Sequence, residues 1–192
     1  MKTLDSRIEL DKNLLSSLIG NKIAKIKHDM FFWGNFSTQK ISIYANEKIY
    51  QLQLIENDVD FIRGDESVSS FKFVECEEAE TNTIYTGNNA PKQVETIIDE
   101  KVTDIIVIED KIIAFEEDEQ FGEYQYVEGL LIVLENKKYC FWKENYYSED
   151  IMIDKGQNPE DKIVNVNEMW SDWAPKCHSQ NERTFVSLVK GK

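Results

Sequence analysis

"QKISIYANEKIYQLQLIE" (residues 39–56) decides the fold class of this chain. Ile41 and Ile43 stand two apart, Asn46 and Glu47 interrupt, and Ile49, Leu52 and Leu54 resume the apolar run. Side chains along a strand alternate between its two faces, so this spacing predicts a β-hairpin turning at Asn46–Glu47. Upstream, "KIAKIKHD" (22–29) places Ile23 and Ile26 in a further strand. Downstream, "VSSFKFVECE" (68–77) alternates Phe71 and Phe73 with Lys72 and Val74. Residues 81–93, "TNTIYTGNNAPKQ", combine Gly, Pro and Asn and read as a loop.

The pattern then starts again. "VTDIIVIEDKIIAF" (102–115) is dense in β-branched residues and reads as a long strand or a pair. "EGLLIVLENKKYCFWKE" (128–144) is a second hairpin turning at Asn136–Lys137, "DIMIDKG" (150–156) a short strand and "ERTFVSLVK" (182–190) a closing strand. The echo between "ISIYANEKIYQLQL" and "LIVLENKKYCFWK", each preceded by a strand ending in Asp, suggests two duplicated β units offset by about ninety residues. The chain is then one domain over 1–192, or two β-rich halves, 1–90 and 91–192, sharing a core. Leu10, Leu14, Leu15, Leu18 and Ile19 fall at helical spacing before Gly20, which predicts an N-terminal helix over 10–19. The expected class is α+β, β-rich, built on antiparallel sheet.

A chain of 192 residues with 41% hydrophobic content can bury a core without disulfides. Three widely spaced cysteines, Cys76, Cys140 and Cys177, read as reduced thiols. The start, "MKTLDSRIELDKN", lacks the apolar stretch of a signal peptide, and no apolar run reaches the length of a membrane helix. The expectation is a cytoplasmic protein with no membrane association.

The net charge of −14 is unevenly distributed along the sequence. Residues 1–55 carry net +3, residues 56–128 net −16 and residues 129–192 net −1. Such a balance argues against direct nucleic-acid binding, because phosphates would be repelled. The densest tract is "FEEDEQFGEYQY" (115–126), where Glu116, Glu117, Asp118, Glu119 and Glu123 stand close to Phe121, Tyr124 and Tyr126. "VECEEAE" (74–80) adds Glu75, Glu77 and Glu78, together with Glu80. Acids steer a basic protein into encounter, and aromatics among them supply contact area that slows release. These residues are the expected partner-binding surface; a solvated turn is the plainer alternative.

No other constellation carries chemistry. The acidic tract lacks the oxygen-ligand alternation of a calcium loop, and its contiguous acids do not make a catalytic carboxylate pair. Cys177 and His178 are neighbours that a strand would point apart, and His28 reads as a strand-end residue. Cys76, Cys140, Cys177 and His178 lack the close Cys pair of a zinc site, and no phosphate-binding glycine motif is present. The expectations are therefore no catalytic residues, no metal and no cofactor. Trp170 and Trp173, in "NEMWSDWAPKCH" (167–178), read as a core or seam pair.

With its acid-rich 56–128 region and without catalytic motifs, the chain resembles the immunity proteins of bacterial polymorphic-toxin and contact-dependent growth-inhibition systems. The resemblance rests on "FEEDEQFGEYQY" and "VECEEAE". It implies a non-enzymatic inhibitor whose partner is a basic protein, a cognate toxin such as a nuclease. The alternative is a small-molecule or carbohydrate module, or an unrecognised enzyme, with Tyr124, Tyr126, Trp142, Tyr146 and Tyr147 lining a pocket. The many short strands also offer edges at which a homodimer can form.

Overall fold

In the computed structural model, which describes residues 2–30, 36–38, 40–61, 64–78, 92–171 and 174–189, eleven strands form one hydrogen-bonded sheet. They are β1 (Lys2–Asp5), β2 (Lys22–Met30), β3 (Phe36–Thr38), β4 (Lys40–Ala45), β5 (Lys48–Phe61) and β6 (Gly64–Cys76). The second half supplies β7 (Lys92–Glu116), β8 (Glu119–Leu134), β9 (Lys138–Lys143), β10 (Asp150–Gly156) and β11 (Cys177–Ser187). With α1 (Lys12–Ser16) and α2 (Val166–Met169) as the only α-helices among the described residues, this is the β-rich α+β class that the period-two spacing predicts. None of these helices is long and apolar enough to cross a membrane.

The hairpin at 39–56 forms as its residues dictate. Asn46 and Glu47 both sit at positive φ (52° and 62°), the backbone hand that matches strand twist in a two-residue turn. Ala45 pairs with Lys48 across it. The strand order across the sheet is β3-β10-β9-β8-β7-β2-β4-β5-β6, with β11 added antiparallel to β7 and β1 added parallel to β8.

Strand β7 organises both halves. Its first part, Lys92–Lys101, pairs with β2, and Val102–Glu116 pairs with β8 on one side and, from Ile106, with β11. At the junction Asp99 adopts positive φ, and register shifts interrupt both the β2 and the β8 pairings. Such bulges bend a strand and tighten its twist. The two arms therefore face each other across one apolar core. Ile26, Ile43, Leu52 and Phe73 from the first arm meet Ile105, Leu130, Phe141 and Ile151 from the second. Each arm is a four-strand antiparallel meander, an order that any run of hairpins produces, so it does not by itself carry a duplication.

The N-terminal helix is shorter than its apolar spacing predicts. The Asp11 side chain caps it by accepting from the Leu14 amide at 2.8 Å. Only Lys12–Ser16 is α-helical, because Gly20 and Asn21 turn away to exchange backbone hydrogen bonds with Val102. Leu10, Leu15 and Leu18 still reach the core. The long strand predicted over 102–115 begins ten residues earlier, at Lys92, and the closing strand is Cys177–Ser187 rather than 182–190. Residues 81–91 of the expected loop lie outside the described residues, while Lys92 and Gln93 belong to β7.

The outer face of β7–β8–β9 is covered by the segment after β10. Ile163 packs on Ile108, Leu131, Cys140 and Trp142. Val166 and Trp170 pack on Ile112, Tyr124 and Tyr126. Buried on both faces, β8 shows an unbroken buried run from Tyr126 to Ile132. Trp170 is thus a core residue; Trp173 lies outside the described residues.

Gly129 stands where β8 passes closest to β9. A Cβ there would lie 2.6 Å from the Phe141 carbonyl oxygen and 2.9 Å from Trp142 Cβ. Neither neighbour is a movable side-chain end, so Gly129→Ala should lower stability by about 2–3 kcal/mol, read by denaturant unfolding. An unchanged unfolding midpoint would mean that the strands are not so closely apposed.

Candidate functional site

The acidic tract is the end of the β7–β8 hairpin. Glu116 pairs with Glu119 across Glu117–Asp118, and Glu117 has φ 52°. Strand β11 holds the turn from the side. The Glu117 amide donates to the Lys176 carbonyl at 2.8 Å, and Lys176 Nζ lies 2.6 Å from the Glu117 carboxylate. Glu116, Glu117, Asp118 and Glu119 are exposed on a turn that β11 holds in place.

Beyond the turn the strand period sorts the predicted site residues. Phe121 and Glu123 are half-buried on one face; Gly122, Tyr124 and Tyr126 are buried on the other. Glu123 is 3.2 Å from Lys111 and accepts from Gln125. Tyr124 and Tyr126 are fully buried, so they are core residues and not partner contacts. The reason is alternation: of the three aromatics after the turn, only Phe121 falls in the outward register.

The second tract is set by different neighbours. Glu75 is exposed on β6, with Lys48 at 2.8 Å, and Glu77 and Glu78 are exposed just past its end. Val68, seven residues back along β6, is the residue that packs with Ile112 and Tyr124. At about 3.3 Å per residue this sets Glu75 roughly 23 Å along the strand from that contact. The two tracts therefore do not merge into one patch. Glu80 lies outside the described residues.

The fold also redistributes charge. Bases from the chain's first third reach Glu75, Glu95, Asp99 and Glu109, the last through Arg7 and Lys12. Bases from its last third reach Glu100, Asp110 and Glu117. At least seven of the 21 acids in residues 56–128 thus meet bases from the other two thirds of the chain, so the fold partly offsets the concentration of acid in the sequence.

The most unusual electrostatics lie inside. Four charged side chains occupy neighbouring positions on four adjacent strands: Lys143 on β9, Glu128 on β8, Asp110 on β7 and Arg183 on β11. Gly129 faces Trp142, Tyr126 faces Asp110, and Asp110 faces Arg183. Glu128 is the extra residue of a β-bulge, since Ile108 pairs with Gly129 and Glu109 with Val127. Asp110, Glu128 and Lys143 are buried to 1% exposure or less.

Arg183 grips Asp110 with two hydrogen bonds, of 2.7 and 2.6 Å. The Tyr126 hydroxyl donates to Asp110 at 3.1 Å and accepts from Trp170 Nε1 at 3.2 Å. Lys143 donates to the Ser69 carbonyl, tying β9 to β6, and lies 4.9 Å from the centroid of the Tyr126 ring. Neither Glu128 carboxyl oxygen has a hydrogen-bond partner. Burial first, and the Asp110 charge second, push the Glu128 carboxyl up to about 8. Burial pulls the Lys143 ammonium down to about 8 against the favourable Glu128 and Asp110 charges. Perturbed groups of this kind cluster in active sites. Here the row lies beneath α2 and Trp170, with Asp110, Glu128 and Lys143 buried, and it couples four strands through their side chains.

The aromatics expected to line a pocket fall in different settings. Tyr124, Tyr126 and Trp142 are core residues, Tyr146 stacks on Trp170 at 4.6 Å, and Tyr147 is exposed. Among the described residues, no three of the His, Cys, Asp and Glu side chains converge as cation ligands. His178 stacks on Phe115 at 5.1 Å, while His28 is buried with Nδ1 2.8 Å from the Asp29 carbonyl. Arg183 and Lys143 are the residues that sequence reasoning missed. The one local signal was a base closing the apolar run "YCFWK". Compared with known protein families, curated proteins and solved structures, the chain matches none of them.

Proposed function

We propose that this chain is a non-catalytic, cytoplasmic binding protein that neutralises a basic protein partner, as an immunity protein neutralises its cognate toxin. The observation that carries the reading is the β7–β8 turn. Four consecutive acids stand exposed on a hairpin whose backbone is fixed by β11, with Phe121 half-buried beside them. A fixed turn loses little conformational entropy on docking, and its negative charge accelerates encounter with a positive surface. If the partner is a nuclease, its phosphate-binding surface is positive by necessity, and the acids compete with the nucleic-acid backbone for it.

Affinity capture from the native host at low and high salt identifies the partner. The triple variant Glu117→Ser, Asp118→Ser, Glu119→Ser should then associate about tenfold more slowly at low salt, with a flatter salt dependence. Unchanged association kinetics would remove the turn from the interface.

A further inference from the structure

Among the described residues the sheet leaves a gap. Strand β7 pairs with β8 only from Val102 onward; on that side its first part, around Val94 and Thr96, faces Tyr139 of β9 and Ile153 of β10 across a cavity. A cavity of about 210 Å³ occupies the gap, lined by Ile26, His28, Val94, Tyr139 and Ile153, with Thr96, Asp154 and Lys155 around them. Ile26, Val94 and Ile153 make its walls apolar.

Two polar groups interrupt those walls. Tyr139 is 3% exposed, and its hydroxyl has no hydrogen-bond partner. A buried hydroxyl left unpaired is costly, so native structures seldom keep one without a use. His28 is 6% exposed, and its Nδ1 meets the Asp29 carbonyl, so Nδ1 carries the proton and Nε2 is the ring's acceptor. Asp154 is already ion-paired with Lys162 at 2.7 Å. The buried polar equipment is thus one neutral donor and one neutral acceptor, with half-buried Thr96 and exposed Lys155 farther out in the lining.

We propose that this cavity is a binding site for a small neutral molecule with an apolar body and one hydroxyl group, which accepts from Tyr139 and donates to His28. The hydroxyl is the recognition element, because a group that both donates and accepts satisfies both side chains at once. Burying a ligand charge beside Ile26 and Ile153 is costly, and Lys155 of the lining is exposed to solvent, where its charge is screened. The volume suits a molecule of phenol's size and lies below that of ordinary drug-sized sites. This site is separate from the acidic turn, so either assignment stands or falls without the other.

Phenol is the probe, with toluene as its counterpart lacking the hydroxyl. The methyl resonances of Ile26 and Ile153 report binding to the full chain. Phenol should shift them saturably with a Kd of about 1 mM or tighter, and toluene should bind about tenfold more weakly. Tyr139→Phe removes only the unpaired hydroxyl and should reduce phenol to the affinity of toluene, while the remaining methyl spectrum confirms the native fold. Three results would overturn the assignment: no saturable shift of these methyls at about 10 mM phenol; equal affinities for phenol and toluene; or phenol binding unaltered in Tyr139→Phe, which would leave water as the only occupant.

Discussion

Arg183→Ala should destabilise the protein by about 3–5 kcal/mol, the range seen when one partner of a buried ion pair is removed. The expectation rests on Asp110, whose side chain has no solvent exposure and receives both of its short hydrogen bonds from Arg183. Without the guanidinium the carboxylate keeps only the Tyr126 hydroxyl. The carboxylate is then left in the core without its cationic partner. Arg183 also donates to the Val164 carbonyl at 2.8 Å, so its loss loosens the segment that seals the outer face. The double variant Asp110→Leu, Arg183→Met removes both charges and should recover most of the loss, because well-packed apolar groups replace buried pairs at little cost. Denaturant unfolding of the two variants settles the matter. Equal losses in both would show that the damage comes from packing and not from a stranded charge.

The second large effect is on pH dependence. The Glu128 carboxyl, held near 8 in the folded chain, ionises near 4.5 when exposed. Between these values the native state keeps a proton that the unfolded state has released, so stability falls as pH rises through the window. Lys143 works in the opposite direction. Its folded value near 8 lies below the exposed value of 10.5, so between them the unfolded state holds the extra proton and stability climbs again. The two together predict a stability minimum near pH 8, with a falling limb of about 4 kcal/mol on the acid side. Glu128→Gln abolishes that limb and makes the protein more stable than the parent at pH 8. Unfolding midpoints measured from pH 5 to 10 test this directly. A flat parent profile between pH 5 and 8, or a variant that follows the parent slope, contradicts it.

What the sequence made legible was local. Asn46 announced its hairpin because Asn tolerates the positive φ that a two-residue turn needs, and Ile41 and Ile43 declared their face by spacing alone. The same period was present in "FGEYQY" and places Tyr124 and Tyr126 inward, yet the neighbouring acids made the whole stretch look like surface. What the sequence did not disclose was non-local. Strand β1 finds Gly122–Gln125, and Arg183 finds Asp110 from 73 residues away. The run of acid between 56 and 128 looked like one negative face because its counter-charges, such as Arg7, Lys48 and Lys176, lie outside it in the chain. The tip of the β7–β8 hairpin survived this redistribution as a coherent acidic feature because an exposed turn has few neighbours.

The double allegiance of β7 has a kinetic consequence. Its first ten residues complete one arm and the remainder begins the other, so neither arm matures alone. During synthesis β1 emerges first and stays idle until its partner, some 120 residues later, leaves the ribosome. Closing such long loops precedes the contacts that reward them, which slows assembly toward the millisecond-to-second regime of high-contact-order proteins. Until then the nascent chain presents the unpaired edge of β2, whose natural cover arrives only with Lys92–Lys101. Chaperone engagement would concentrate in that interval.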